Sequence, residues 1–195
     1  GAVDAGGLVF VGAANKTNTT ATASADAAAS SIGIGASVAL NIADTNDTFA
    51  KIENGAILTG ATNVSVTANG DNTFTTTAEA GTQGGSVAVT PSVALTIADN
   101  KTTALIGTAT TPLDASGTVL VQATHRGKAT AVSDGTAAGD VGVGIAVAVT
   151  DANDIVTAHV SRELHAGGAV TIQTDSLSST TTTAKASSEG PDSGN

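Results

Sequence analysis

Apolar and small residues alternate along three stretches of this chain. Ile32, Ile34, Ala36, Val38, Leu40 and Ile42 fall on one face of an extended strand, and Gly33, Gly35, Ser37, Ala39 and Asn41 fall on the other. Val87, Val89, Pro91, Val93, Leu95 and Ile97 repeat the first face, and Val141, Val143, Ile145, Val147 and Val149 repeat it again. A period of two carried by β-branched residues predicts strands, not helices. The Val/Ile face is expected to be the buried one, so that Val38→Asp should not be tolerated. The Ala-rich run at 25–30 has a helical composition, but its counterparts GTQGG (81–85) and DGTAAGD (134–140) are turn sequences, so a turn is predicted in all three places. Pro91 removes a ladder donor in mid-strand and predicts a bulge or an edge there.

The strands belong to a longer repeat. SVALNIADTND (37–47) returns as SVALTIADNKT (92–102) and more weakly as AVAVTDAND (146–154). LVFVGA (8–13), NVSVTA (63–68), TVLVQA (118–123) and AVTIQT (169–174) follow one another at steps of 55, 55 and 51 residues. Thr/Ala-rich runs recur at 19–25, 73–80, 128–133 and 180–186. Each repeat reads as a Thr/Ala strand, a turn, a long Val/Ile strand, an Asp/Asn turn and a shorter strand such as TALIG, then a Gly-containing corner and the NVSVTA-type strand. This divides the chain into a closing strand (1–13), three repeats (14–68, 69–123 and 124–174) and an opening strand with a tail (175–195). The predicted fold is all-β, a β-solenoid-type stack of three repeats of 51–55 residues. A coil cannot bury its own apolar face, so it is written again and the copies bury one another. The alternative is an array of β-sandwich domains, but units of about 50 residues are too small for independent cores without aromatics or disulfides. A transmembrane barrel would need aromatic girdles.

Composition narrows the picture. The 195 residues are 41% hydrophobic, mostly Ala and Val, with three Phe and no Trp, Tyr, Met or Cys. Such a chain needs a thin interior, where Gly, Ala, Ser and Thr fit between close backbones. The net charge of −10 with seven Lys plus Arg argues against nucleic acid and anionic membrane as partners. The lack of Cys removes disulfides and thiolate metal sites. No apolar run is long enough for a transmembrane helix. Without a starting Met or a signal peptide, the chain reads as a piece of something longer.

GGSVAVTPSVALTIADNKTTALIG (84–107) and LDASGTVLVQAT (113–124) resemble repeats in giant bacterial surface adhesins and exoproteins of the filamentous-haemagglutinin or fusobacterial-leukotoxin type. The resemblance covers about residues 8–188. It implies export to the cell surface, a β-solenoid stalk, and adhesion to a host or neighbouring cell. It carries over no catalytic residue.

Candidate chemistry is sparse. Asp44, Asn46 and Asp47 share a repeat position with Asp99 and Asn100, and with Asp151, Asn153 and Asp154. Stacked carboxylates at Asp44, Asp47, Asp99, Asp151 and Asp154 are candidate Ca²⁺ ligands, weighed against the favoured reading of plain turn residues. T-x-T spacing at Thr20/Thr22, Thr73/Thr75/Thr77 and Thr181/Thr183 has the form of an ice-binding face, against the simpler reading of exposed β-strand threonines. Sequons occur at Asn15, Asn18, Asn46, Asn63 and Asn100. His125, His159 and His165 occupy different repeat slots and read as surface or corner residues, and Glu163 near His165 lacks a nucleophile. No Ser-His-Asp set or phosphate loop is present. The expected function is therefore non-enzymatic and cofactor-free: an extracellular module of a surface adhesin, a stalk or contact surface. A self-assembling filament subunit is the alternative, and a carbohydrate- or Ca²⁺-binding module a third reading. Uncapped ends, with residues 1–7 and 189–195 expected to be mobile, predict head-to-tail association with itself or with neighbouring repeats.

Overall fold

The computed structural model describes residues 1–190, all of them in strands or short connections. A short strand β1 (Ala2–Asp4) precedes the first long strand, β2 (Leu8–Ala29). The chain reverses at Ser30–Ser31 and returns along β3 (Ile32–Ile34) and β4 (Ser37–Ile52). It then turns a corner into the three-residue β5 (Ile57–Thr59). The same path is traced again by β6 (Asn63–Gly84), β7 (Val87–Ile106) and β8 (Leu113–Ala115), and once more by β9 (Val119–Ala138), β10 (Val141–Val160) and β11 (Leu164–Ala166). β12 (Val170–Glu189) opens the next coil.

Every pairing is parallel and joins equivalent strands of successive coils. One sheet runs β2–β6–β9–β12, and the facing sheet runs β3/β4–β7–β10. The short strands pair as β1 with β5 and β8 with β11, with a bridge from Ala61 to Ala115 between them. This is a β-solenoid-type stack with two broad sides and one narrow one. Pairing between residues about one repeat apart is the opposite of an array of self-contained sandwiches.

The coil tapers, and the inward side chains follow the taper. Near the narrow side three strands surround the interior, and Val64, Val66, Ile106, Leu113, Val119 and Val121 fill it. At the far end the two broad sheets lie nearly in contact. There the interior is Ala39, Ala78, Ala94 and Ala131, with Thr90, Ser92 and Thr96. Single short side chains span the gap: the Ser92 hydroxyl donates to Ala78 O at 2.8 Å, and Thr96 to Thr130 O at 2.9 Å. At Gly144 even a Cβ would collide with the backbone oxygens of Ser187 and Gly135.

This geometry reverses the expected facing of the Val/Ile strands. Val38, Leu40 and Ile42 point outward, Val38 being 60% exposed, while Ser37, Ala39 and Asn41 are buried. The reason is steric: between sheets this close, a Val or Ile layer would overpack, so the small alternate residues take the inside. The ladder of valines is therefore on the outside of this sheet. The expected threonine ladder is outside too, on the other sheet, where Thr20, Thr75, Thr130 and Thr181 stand in register.

Four further expectations change. The Asp/Asn segments are not turns; β4, β7 and β10 continue through them, β4 with a bulge, so each Val/Ile strand and the TALIG-type strand form one element. The NVSVTA-type strand and the following Thr/Ala run are likewise one strand, β6 in the second coil. Pro91 lies in the central strand, paired with Ile145, and no bulge forms there. Its effect is on the other neighbour, where the gap at Gly35–Ala36 between β3 and β4 lies opposite Thr90 and Pro91, and Pro91 has no N–H to offer. Residues 1–7 are not a loose tail, since Ala2–Asp4 pairs with Ile57–Thr59. Residues 191–195 of the expected mobile C-terminal tail lie outside the described residues.

The corners rest on glycine and one arginine. Gly55 and Gly60 both have φ of 70°, a conformation that strains any residue with a Cβ. Arg162 reaches back across the stack: Nε donates to Gly107 O and Nη1 to Ala56 O, each at 2.5 Å, and Nη2 donates to Glu53 O at 3.1 Å.

Candidate functional site

The densest polar chemistry is inside the stack, midway along the broad strands. A β-bulge at Asp44–Thr45 sets two residues of β4 against one of β7 and brings Asn46 into register with Asn100. Asn100 in turn pairs with Asp154. Asn15 Nδ2 donates to Asn46 Oδ1 (2.6 Å), Asn46 Nδ2 to Asn100 Oδ1 (2.9 Å), and Asn100 Nδ2 to Asp154 Oδ1 (2.7 Å). Ser178 caps the row by donating to Asp154 Oδ2. The repeat thus stacks two amides on one carboxylate along the solenoid axis, with Asn15 and Ser178 joining the row from the facing sheet.

Facing them is His125, 1% exposed and not the surface residue expected. Its Nδ1 lies 3.0 Å from Thr102 Oγ1, and its Nε2 lies 3.1 Å from Asp154 Oδ1, off the line of a well-directed hydrogen bond. Its neighbours in β6 and β9 are glycines for a reason of space. A Cβ at Gly70 would stand 2.8 Å from Nδ1, and one at Gly127 would stand 3.1 Å from Nε2. Burial alone raises the Asp154 carboxyl, but the close His125 ring and hydrogen bonds from Ser178 and Asn100 outweigh it and hold the pKa at about 2. Asn72 is buried nearby in β6 with neither amide atom partnered. A cavity of about 30 Å³ touches Asn100, Gly127, Asp154 and Ser178, room for one water.

Thr102, His125 and Asp154 stand in the order of a nucleophile, a base and an orienting acid. Thr102 is buried between the two sheets, so a substrate has no approach to its hydroxyl. The Asn–Asn–Asp row pairs its own polar groups between the sheets and links the coils laterally, leaving Asn72 unpartnered beside it.

The sequence-predicted metal residues are split. Asp154 points inward to this network, whereas Asp44, Asp47, Asp99 and Asp151 are exposed on the outer surface. Asp44, Asp47 and Asp99 border a shallow outer groove of about 330 Å³ that also takes in Lys101. Lys101 is paired in register with Asp47 and sits 5.5 Å over the Phe49 ring. Among the described residues, no three His, Asp or Glu side chains are arranged to hold a metal ion. The sequons also separate: Asn100 is buried with its Nδ2 committed to Asp154, whereas Asn18 is exposed.

A second cluster lies on the narrow side. His165 Nδ1 is 2.8 Å from Asp114 Oδ1, its register partner one coil earlier, and Nε2 is 3.0 Å from Glu163 Oε1. Hydrogen bonding to Glu163, then to Asp114, raises the His165 pKa despite its exposure. An open hollow of about 490 Å³ runs beside it along Gly60, Ala61, Ala115 and Ala166. The signal for this pair was the alignment of PLDASG (112–117) with ELHAGG (163–168), which puts Asp114 and His165 in one slot. In the sequence alone His165 reads as a corner residue near Glu163, and Asp114 has no role.

The fold and its interior thus define a class, a parallel β-solenoid-type repeat stack whose densest polar chemistry lies between its two broad sheets. No protein-family model matches the chain, and no curated protein and no solved structure is significantly similar to it.

Proposed function

We propose that this chain is a non-enzymatic extracellular repeat module of a bacterial surface adhesin, acting as a stalk or cell-contact surface. The observation that carries this reading is the parallel ladder that joins equivalent strands of successive coils. Residue pairs such as Val38, Val93 and Val147 stack coil on coil, so each repeat adds one strand spacing of about 4.8 Å to a rod. A fold that converts repeats into length suits a spacer. The acidic surface and the lack of thiols agree with life outside the cell. Antibodies raised against the isolated chain test the reading. They are expected to label intact cells of the producing organism, and labelling confined to permeabilised cells would end it.

The open outer strands support a second reading, a self-assembling filament subunit. β2 and β12 are the edges of the four-stranded sheet among the described residues, and another parallel strand would extend either ladder. Electron microscopy of the concentrated chain is expected to show rods if this reading holds, and separate particles if it does not.

A further inference from the structure

The outward Val/Ile face is the feature that neither reading uses. It comprises Ile32, Ile34, Val38, Leu40 and Ile42, then Val87 to Ile97 and Val141 to Val149 at alternate positions, and it contains no charged side chain. On its two flanking strands these residues are 42–66% exposed. Ordinary monomers rarely leave a contiguous apolar sheet in water, and a patch rimmed by polar groups marks a contact surface. The other broad face is different, with Thr75, Thr77, Glu79, Arg126, Lys128 and Asp134 outward.

We propose that this face binds the same face of a second copy of the chain, packing two solenoids side by side as a sheet sandwich. Area supports it. Eleven residues of strand by three strands give roughly 500 Å² of flat sheet per copy, so a pair covers roughly 1,000 Å², at the threshold for a specific interface even before side-chain relief is counted. Shape supports it too: ridges of Val and Ile at a period of two interdigitate with an identical face.

Charge selects the arrangement. Asp44, Asp99 and Asp151 follow directly after the apolar positions, all at one end of the patch. At the other end lie the turn residues Ser31, Ser86 and Asp140. A two-fold axis along the strands would set the three aspartates on their own copies. A two-fold axis along the stack direction runs the facing strands antiparallel, keeps coil over coil, and brings Asp44 and Asp99 to the partner's serines; only Asp151 then meets a carboxylate, Asp140 of the partner subunit, whereas the first axis opposes every aspartate of the row to another. The second arrangement is the one proposed. The same acidic rim disfavours an anionic lipid surface as the occupant.

The test is sedimentation equilibrium on the isolated chain. The expected mass is twice the 18.5 kDa of one chain. Val93→Lys, at the centre of the face, is expected to return the mass to that of one chain with the β-sheet circular dichroism unchanged. Thr75→Lys on the opposite face is the control and should leave the dimer intact. Because the chain has no Cys, a spin label at Asp99→Cys reports the geometry: a pair separation of about 45 Å fits the proposed axis, and about 15 Å contradicts it. A wild-type monomer at high concentration overturns the proposal. So does a chain that stays monomeric but floats with phosphatidylcholine vesicles, which would assign the face to lipid. Loss of dimer in Thr75→Lys as well would also overturn it.

Discussion

Ala94 and Val38 show how little room one residue has in this fold. Ala94 is fully buried at the point where the sheets nearly touch, and Val38 stands on the outside. Ala94→Leu is therefore expected to cost about 1–3 kcal/mol by overpacking, read as a lowered melting temperature. At a dilution where the chain is monomeric, Val38→Asp should melt within a few degrees of the parent; a large drop there would show that Val38 packs inside the coil. Asp154 sets a second residue-scale outcome. Its pKa falls from 3.8 unfolded to about 2 folded. The stabilisation is present above about pH 4 and is lost as pH falls through 2, and because the site is partly open to solvent it amounts to about 1–2 kcal/mol. Acid melting of Asp154→Asn should be flatter across that window than that of the parent.

The elements are long because nothing inside them stops pairing. β6 and β7 each run about 20 residues, and reversal falls to Gly85–Ser86 between them. The corners are more demanding. Arg162 satisfies three carbonyls from two earlier coils, at Glu53, Ala56 and Gly107. Arg162→Ala is expected to destabilise by about 1–3 kcal/mol, since bonds from a charged donor are lost together. Hydrogen exchange should quicken at Gly107 and Ala56 but not at Ala94. Uniform loss of protection would mean that the corners and the broad sheets melt as one unit.

At the scale of the whole molecule, each coil contacts its neighbours, with Arg162 reaching two coils back, so stability should accumulate coil by coil. A chain ending at Ala138 is expected to keep its parallel-sheet signal and melt at a lower temperature. Complete unfolding of that chain would show that the coils do not hold their structure without the last one. No helix among the described residues is long and apolar enough to cross a membrane.

The sequence by itself determined strand over helix, the repeat and its step, and the thin interior, because all three are local or periodic properties. It also grouped the Asp/Asn segments at 44–47, 99–100 and 151–154 as equivalent, but only the bulge at Asp44–Thr45 brings Asn46 opposite Asn100. It did not reveal His125 as their partner, because the same slot holds Gly70 and Ser176 in the adjacent coils and only the facing sheet brings the ring to Asp154. Which face of Val87–Ile97 looks inward was likewise a tertiary decision. Alternation marks two faces but does not label them. The distance to the opposing sheet does, and at that distance Thr90, Ser92 and Ala94 fit where Val89, Val93 and Leu95 do not.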